Sequence, residues 1–200
     1  MRKVIPLLFI LLLTGCTVVR IDTKSIDNII DVVLSKNNKL YNQVGNGYKY
    51  YIPRGVTYIE SDEQNDKLYC NGNYYYLYID AVSYYHNIEP EYKEDNSLYY
   101  SRRISSDDGF KHSGYLEIKE LENKTYKIKY VYNYARFEAI VSKEKLNDTI
   151  LNATYILSTV KFNYNVVELM LNNDYFTNKA EKYDDFSNDG TSNIFKLEEG

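Results

Sequence analysis

Between residues 48 and 141 the chain consists of short segments in which apolar and polar side chains alternate, and no helical pattern separates them. A period of two predicts β-strands, here at residues 48–52, 56–60, 68–70, 74–85, 98–104, 115–121, 125–134 and 136–141. Successive strands without intervening helices pair mostly antiparallel, because short turns are enough to connect them. The chain is therefore expected to build a mostly antiparallel sheet.

Turn residues mark several of the connections between these strands. Asn71-Gly72 tolerates the positive φ angles of a two-residue turn and predicts a hairpin between residues 68–70 and 74–85. Pro53-Arg54-Gly55 predicts a bend that interrupts pairing, and Asn123-Lys124 predicts a short reversal. A Gly-Asn-Gly sequence at residues 45–47 precedes the first strand.

Two amphipathic helices flank the strands. In residues 22–36 the apolar side chains recur at the spacing of one helical face, and the same spacing returns in residues 142–157. A short strand at residues 160–162 and a short helix at residues 166–171 are expected to follow. The fold class is thus α+β, with a single domain in which a tyrosine-rich sheet packs against an N-terminal and a C-terminal helix. This order of elements resembles the PsbP/Mog1-like domains, and the resemblance implies an antiparallel sheet between helices.

The N-terminus has the pattern of a secretory signal. Arg2 and Lys3 precede ten uncharged residues at positions 4–13, which are too few to span the roughly 20-residue width of a bilayer. The sequence Leu13-Thr14-Gly15-Cys16 then resembles the lipobox of bacterial lipoproteins. That resemblance implies cleavage after residue 15 and attachment of a diacylglycerol to the Cys16 thiol. Several acyl chains would hold the protein firmly on the outer face of the cell membrane.

These features divide the chain into four parts. Residues 1–15 are expected to be a cleaved lipoprotein signal peptide, residues 16–24 a lipidated N-terminus and short tether, residues 25–172 the exported domain, and residues 173–200 an acidic, flexible tail. Cys70 is then the remaining thiol, and a packed strand position is expected for it. The formal charge of −4 argues against nucleic acid as a partner, because binding to phosphates needs an excess of Lys and Arg.

The tyrosines offer a candidate contact surface. In residues 74–85 one face of the strand reads as core, and the other presents Tyr74, Tyr76 and Tyr78 towards another layer or towards solvent. Tyrosines on an exposed face can stack on sugar rings or contact a protein of the cell wall or envelope. They can equally fill a half-buried sheet face without any ligand.

Candidate catalytic groups are few. His86 and His112 lack metal-ligand spacing, and no nucleophile motif is present, so the sequence predicts no catalytic, cofactor-binding or metal-ligating residue. The function predicted first is a non-catalytic binding or envelope-interaction domain on a lipid anchor. The alternative is a membrane-tethered hydrolase that acts on envelope material through carboxylates such as Glu89 or Asp80.

Overall fold

A computed structural model describes residues 22–62, 64–106 and 112–172. The described helices are α1 (Ile26–Leu34), α2 (Ala81–His86), α3 (Lys143–Ser158) and α4 (Tyr164–Asn172). The described strands are β1 (Gln43–Val44), β2 (Tyr48–Tyr50), β3 (Thr57–Asp62), β4 (Asn65–Cys70), β5 (Asn73–Ile79), β6 (Tyr100–Ser106), β7 (His112–Glu120), β8 (Thr125–Tyr132), β9 (Ala135–Ser142) and β10 (Lys161–Phe162). The predictions for Cys16, the signal peptide and residues 173–200 lie outside the described residues.

Seven of these strands form one antiparallel sheet in the order β3-β4-β5-β9-β8-β7-β6. The order follows from two meanders, β3 to β5 and β6 to β9, which join where β5 pairs with β9. A smaller antiparallel sheet has the order β1-β2-β10. The predicted α+β class with mostly antiparallel pairing is confirmed, because neighbouring strands in the sequence pair through short turns.

The hairpin predicted at Asn71-Gly72 is confirmed. Asn71 has a φ of 50° and Gly72 a φ of 90°, and Cys70 pairs with Asn73 across the turn. A second hairpin turn lies at Asn133-Tyr134, and both residues have positive φ angles. The sequence had predicted a strand that extends to residue 134. That strand end was wrong because the amide of Asn133 donates to the backbone carbonyls of Leu157 and Val160 and thereby stabilises the turn.

The strand predicted over residues 74–85 ends early. β5 stops at Ile79, and α2 begins after Asp80. The Asp80 carboxylate accepts hydrogen bonds from the backbone nitrogen of Ser83 at 2.8 Å and from its hydroxyl at 2.7 Å. This is an N-cap, which favours a helix over a continued strand. The alternation of apolar and polar residues therefore predicted the strand correctly only in the first half of this segment.

The core lies between the inner face of the seven-stranded sheet and the two amphipathic helices. Helices form in both predicted regions, although α1 covers only Ile26–Leu34 of residues 22–36. Their apolar faces join one buried cluster with the strands, whose members include Ile29, Ile30, Leu77, Tyr130, Phe137, Ile150 and Leu157. Cys70 is buried in the same cluster, which confirms it as a packed strand residue. A smaller cluster joins α2 to α4. Within the described ranges, no helix has the length and apolarity needed to cross a bilayer.

Candidate functional site

The predicted contact residues Tyr74, Tyr76 and Tyr78 lie on the outer face of the sheet, opposite the core. Tyr78 is only 5% exposed, and the guanidinium of Arg136 lies 4.5 Å from the centre of its ring. Burial raises the pKa of Tyr78, and the charge of Glu138 raises it further. Tyr74 and Tyr76 are half-buried. The three rings are therefore not equally available to a ligand, and Tyr78 adds almost no exposed aromatic surface.

Charged side chains surround these tyrosines. Lys67 lies 4.6 Å from the centre of the Tyr74 ring, which is 5.4 Å from the ring of Tyr69. The strand register places Lys67, Tyr76, Glu138, Lys129 and Glu117 in one row across the sheet. Opposite charges alternate along this row, and neighbouring cross-strand pairs of this kind stabilise each other. The charged side chains of this row thus have neighbours of opposite charge on the outer face itself.

Asp80 and Glu89, the two carboxylates predicted for a hydrolase, lie in different environments. Asp80 serves as the helix cap, with both of its oxygens accepting from Ser83. Glu89 is exposed in the segment after α2. His86 lies exposed at the end of α2, and His112 begins β7. No group of three or more His, Cys, Asp or Glu side chains suited to a metal ion occurs in the part of the chain that the structure describes.

A cleft beside the small sheet forms the better-defined candidate site. We call it the lysine cleft; its volume is about 580 Å³, and it is lined by β2, β10, the loop before β2 and the first turn of α4. Its lining residues are Val44, Gly45, Asn46, Gly47, Tyr48, Lys49, Lys161, Phe162, Asn163, Tyr164 and Val166. Cations and aromatic rings therefore line the cleft together, and none of these lining residues is acidic.

Two lysines dominate the charge of the cleft. Lys49 of β2 and Lys161 of β10 are direct partners in the antiparallel register, where side chains leave the sheet on the same face and Cβ atoms are about 5 Å apart. Among the described residues, neither lysine forms an ion pair. The Lys49 ammonium lies 4.0 Å from the centre of the Tyr41 ring. Like charges placed directly opposite repel each other, so an anion between them would remove an existing penalty.

The pKa of Lys161 reflects this environment. Partial burial is the largest cause that lowers this pKa, and the charges of Lys49 and Lys39 lower it further. Both causes act against the charged ammonium. A bound anion would act in the opposite direction and raise the pKa of Lys161 again. The site is therefore electrostatically suited to an anionic group.

Tyr48, which lines the cleft, is held in place by a buried hydrogen bond. The Tyr48 hydroxyl donates to the Asp66 carboxylate at 3.1 Å, and the Tyr50 hydroxyl donates to the same oxygen at 2.7 Å. Asp66 is only 3% exposed. Burial and the charge of Asp66 raise the pKa of both tyrosines far above the ordinary value. Gly45 lies directly against the Tyr48 ring, with no room for a side chain.

The aromatic wall of the cleft is supported from behind. Phe162 stacks on Tyr84 with ring centres 4.1 Å apart, and Tyr164 stacks on Tyr85 at 5.3 Å. At the rim, Val44 is 65% exposed and Tyr164 is 50% exposed. Exposed apolar side chains beside a cleft are typical of a contact region. Because neighbouring residues of a strand point to opposite faces, the Phe162 ring lies on the core side of β10, away from the Lys161 side chain. The aromatic surface at the rim of the cleft is therefore the exposed ring of Tyr164.

Sequence reasoning missed Lys49 and Lys161 as site residues. The two lysines are far apart in the chain, and each belongs to a strand of two or three residues whose pairing has no local signature. The one signal available in the sequence is Gly45-Asn46-Gly47, and by itself it indicates only where the strand-rich region starts. Only the pairing of β10 with β2 brings the cations together.

No family model matches the chain, and no curated protein matches it. The function of the protein is therefore inferred from the site itself.

Proposed function

We propose that the protein is a bacterial lipoprotein, lipid-anchored to the outer face of the cell membrane, and that residues 25–172 form a single exported domain that binds without catalysis. The signal-like N-terminus and the position of Cys16 after Leu13-Thr14-Gly15 support the anchor. A tether of nine residues, 16–24, would reach at most about 30 Å. The domain would therefore stay close to the membrane.

The proposed ligand is an anion attached to a planar or apolar group, bound in the lysine cleft. The observation that carries this is the direct pairing of Lys49 with Lys161, which no carboxylate of the described residues neutralises. Phosphate or carboxylate oxygens between two ammonium groups form charge-assisted hydrogen bonds. The exposed ring of Tyr164 would contact the rest of the ligand. Such a ligand fits an envelope component or an envelope protein segment.

Calorimetry on the full-length chain in detergent tests the site. Inorganic phosphate and phenyl phosphate are the probes, and phenyl phosphate should bind more tightly because the exposed ring of Tyr164 contacts its phenyl group. Lys49→Gln and Lys161→Gln should each weaken binding of phenyl phosphate about 10-fold or more, since each removes a charge-assisted hydrogen bond worth roughly 1.5–3 kcal/mol. Lys127→Gln, on the outer face of the sheet, is the matched control. Equal binding by all three variants would refute the lysine cleft as an anion site.

Mass spectrometry of the protein from intact cells tests the anchor. The mature chain should begin at Cys16 and carry diacylglycerol, and Cys16→Ser should lose both the lipid and retention on the membrane. Cys70→Ser removes the other thiol and should leave lipid attachment unchanged. A Cys16→Ser protein that is still processed and retained like the parent would exclude lipidation at this residue.

A further inference from the structure

We propose that residues 173–200 of the same chain bind in the lysine cleft and compete there with an external anion. This inference rests on the proposed function, because both occupants would use Lys49 and Lys161. It adds a particular occupant, which is part of the chain itself. Three properties of the chain support it: the location of its charge, the place where the segment starts, and the side chains beside its carboxylates.

Most of the net negative charge of the mature chain lies in this segment. Residues 173–200 contain seven acidic side chains and three lysines, which gives −4. Cleavage after residue 15 removes Arg2 and Lys3, so residues 16–172 carry 19 Lys plus Arg against 21 Asp plus Glu, a net charge of −2. The lysine cleft is a local excess of positive charge on that nearly neutral part, and oppositely charged surfaces attract each other over about 8–10 Å at physiological salt. The acidic segment is the complementary surface that the chain itself supplies.

The segment starts close to the cleft. α4 begins at Tyr164, which lines the cleft, and ends eight residues later at Asn172, about 12 Å away along the helix. Asp184 and Asp185 follow after another dozen residues. A chain of that length has an end-to-end distance of roughly 20 Å. Its carboxylates can therefore return to Lys49 and Lys161 without any rearrangement of α4.

An acidic pair in the segment, Asp184-Asp185, is flanked by aromatic residues. Asp184 and Asp185 stand between Tyr183 and Phe186. The cleft places two ammonium groups beside exposed Tyr164 and Val44. An acidic pair flanked by aromatic rings thus matches cations beside an aromatic ring, both in charge and in apolar area.

Attachment to the same chain makes even a weak contact effective. Two groups joined by a short flexible linker meet at an effective concentration in the millimolar range. An external anion must displace the segment, so its apparent affinity is lowered by the fraction of clefts that the segment occupies. Neutralising the acidic pair should therefore strengthen binding of an external probe.

Carbodiimide cross-linking of the full-length chain tests the contact without any ligand, because it joins a carboxylate to an ammonium only when the two touch. Mass spectrometry should find Lys49 and Lys161 linked to carboxylates of residues 174–199 in preference to Lys127. Asp184→Asn with Asp185→Asn should reduce those links severalfold. Links spread evenly over all lysines, or links unchanged in the double variant, would overturn the inference.

Calorimetry with phenyl phosphate provides the second measurement on the full-length chain. Asp184→Asn with Asp185→Asn should tighten probe binding about 3-fold or more, whereas Glu91→Gln with Glu94→Gln, two exposed carboxylates elsewhere, should leave it unchanged. Probe binding that depends on Lys49 but not on Asp184 and Asp185 would overturn the inference and leave the proposed function standing. Cross-links at the cleft lysines with probe binding only in the Asp184→Asn, Asp185→Asn variant would support the inference. Absence of probe binding in both proteins would refute the external ligand and, with it, the competition.

Discussion

Gly45 is the residue on which the shape of the lysine cleft depends most directly. A Cβ atom at this position would lie 2.1 Å from Cζ of the Tyr48 ring. The ring cannot yield easily, because its hydroxyl is bonded to the buried Asp66. The glycine is therefore needed for close packing of the loop on the ring.

Gly45→Ala is expected to lower the free energy of unfolding by about 1–3 kcal/mol, the usual cost of overpacking, and to weaken binding of phenyl phosphate. Urea unfolding and calorimetry measure the two effects. Gly55→Ala is the control: its φ of 87° imposes backbone strain, but no atom lies within 4 Å of the added methyl group. We expect that variant to lose stability without losing binding. Unchanged stability of Gly45→Ala would show that Tyr48 can move aside.

Asp66 links the two sheets through the hydroxyls of Tyr48 and Tyr50. Asp66→Asn keeps one acceptor oxygen but removes the charge and adds an amide group that cannot accept. Because the site is buried, the loss of a charge-assisted hydrogen bond is expected to lower the free energy of unfolding by about 1.5–3 kcal/mol. Asp62→Asn, on the exposed end of β3, should have almost no effect. Equal unfolding midpoints for the two variants in urea would contradict the structural role of Asp66.

At the scale of elements, α1 is attached to the edge strand β6 by an ion-pair network. Arg102 of β6 donates to Asp27 at 2.8 Å and to Asp31 at 2.7 Å, and the Tyr100 hydroxyl donates to Asp27 at 2.6 Å. The acidic face of the helix therefore packs against the one arginine of the Arg102-Arg103 pair that points towards it. The contact fixes the helix across the sheet.

A double-mutant cycle on Arg102→Ala and Asp31→Ala should give a coupling energy of about 0.5–1 kcal/mol that falls with added salt. The value is modest because the Asp31 side chain is 59% exposed, and solvent screens the attraction. The Lys67–Glu60 pair, at 3.5 Å and equally open to water, is the comparison and should give less. A coupling energy of zero in low salt would mean that the Arg102–Asp31 pair does not help to hold α1 in place.

The elements that the sequence predicted well are those with strong periodicity or strong turn chemistry. The helices around Ile29 and Ile150 have apolar faces that repeat over several turns, and Asn71-Gly72 has few alternatives to a hairpin. Residues 80–85 were misassigned because alternating apolar side chains over a short stretch fit a strand or one face of a short helix. The deciding interaction was the cap at Asp80, which competes locally with strand pairing.

At the scale of the whole molecule, the candidate site depended on contacts that no local pattern encodes. The tyrosines on β5 could be assigned to the outer face from their alternation, but their burial depends on Arg136 and Lys67 of neighbouring strands. The pairing of Lys49 with Lys161 depends on where the chain returns after α3. Sequence periodicity thus gives the direction of a side chain within its element, whereas the partner across the sheet depends on topology.

The whole fold should also unfold steeply in alkali, because its core contains many tyrosines. Burial raises the pKa of several of them above the ordinary value of 10.0, to about 12 for Tyr75 and higher for others, namely Tyr48, Tyr50, Tyr78 and Tyr130. Above pH 10 the unfolded chain loses these protons while the native chain keeps them. The stabilisation is therefore complete below pH 10 and is lost as the pH rises towards the native pKa values.

Each such tyrosine contributes a slope of about 1.4 kcal/mol per pH unit, so five together give roughly 7 kcal/mol per unit. A domain of ordinary stability, about 5–15 kcal/mol, should then unfold between about pH 10 and pH 12. Tyrosinate absorbance and circular dichroism should change together in one transition. Tyr75→Phe should reduce the slope of the unfolding free energy against pH. Gradual ionisation with an intact fold would show that the buried hydroxyls reach solvent by local opening.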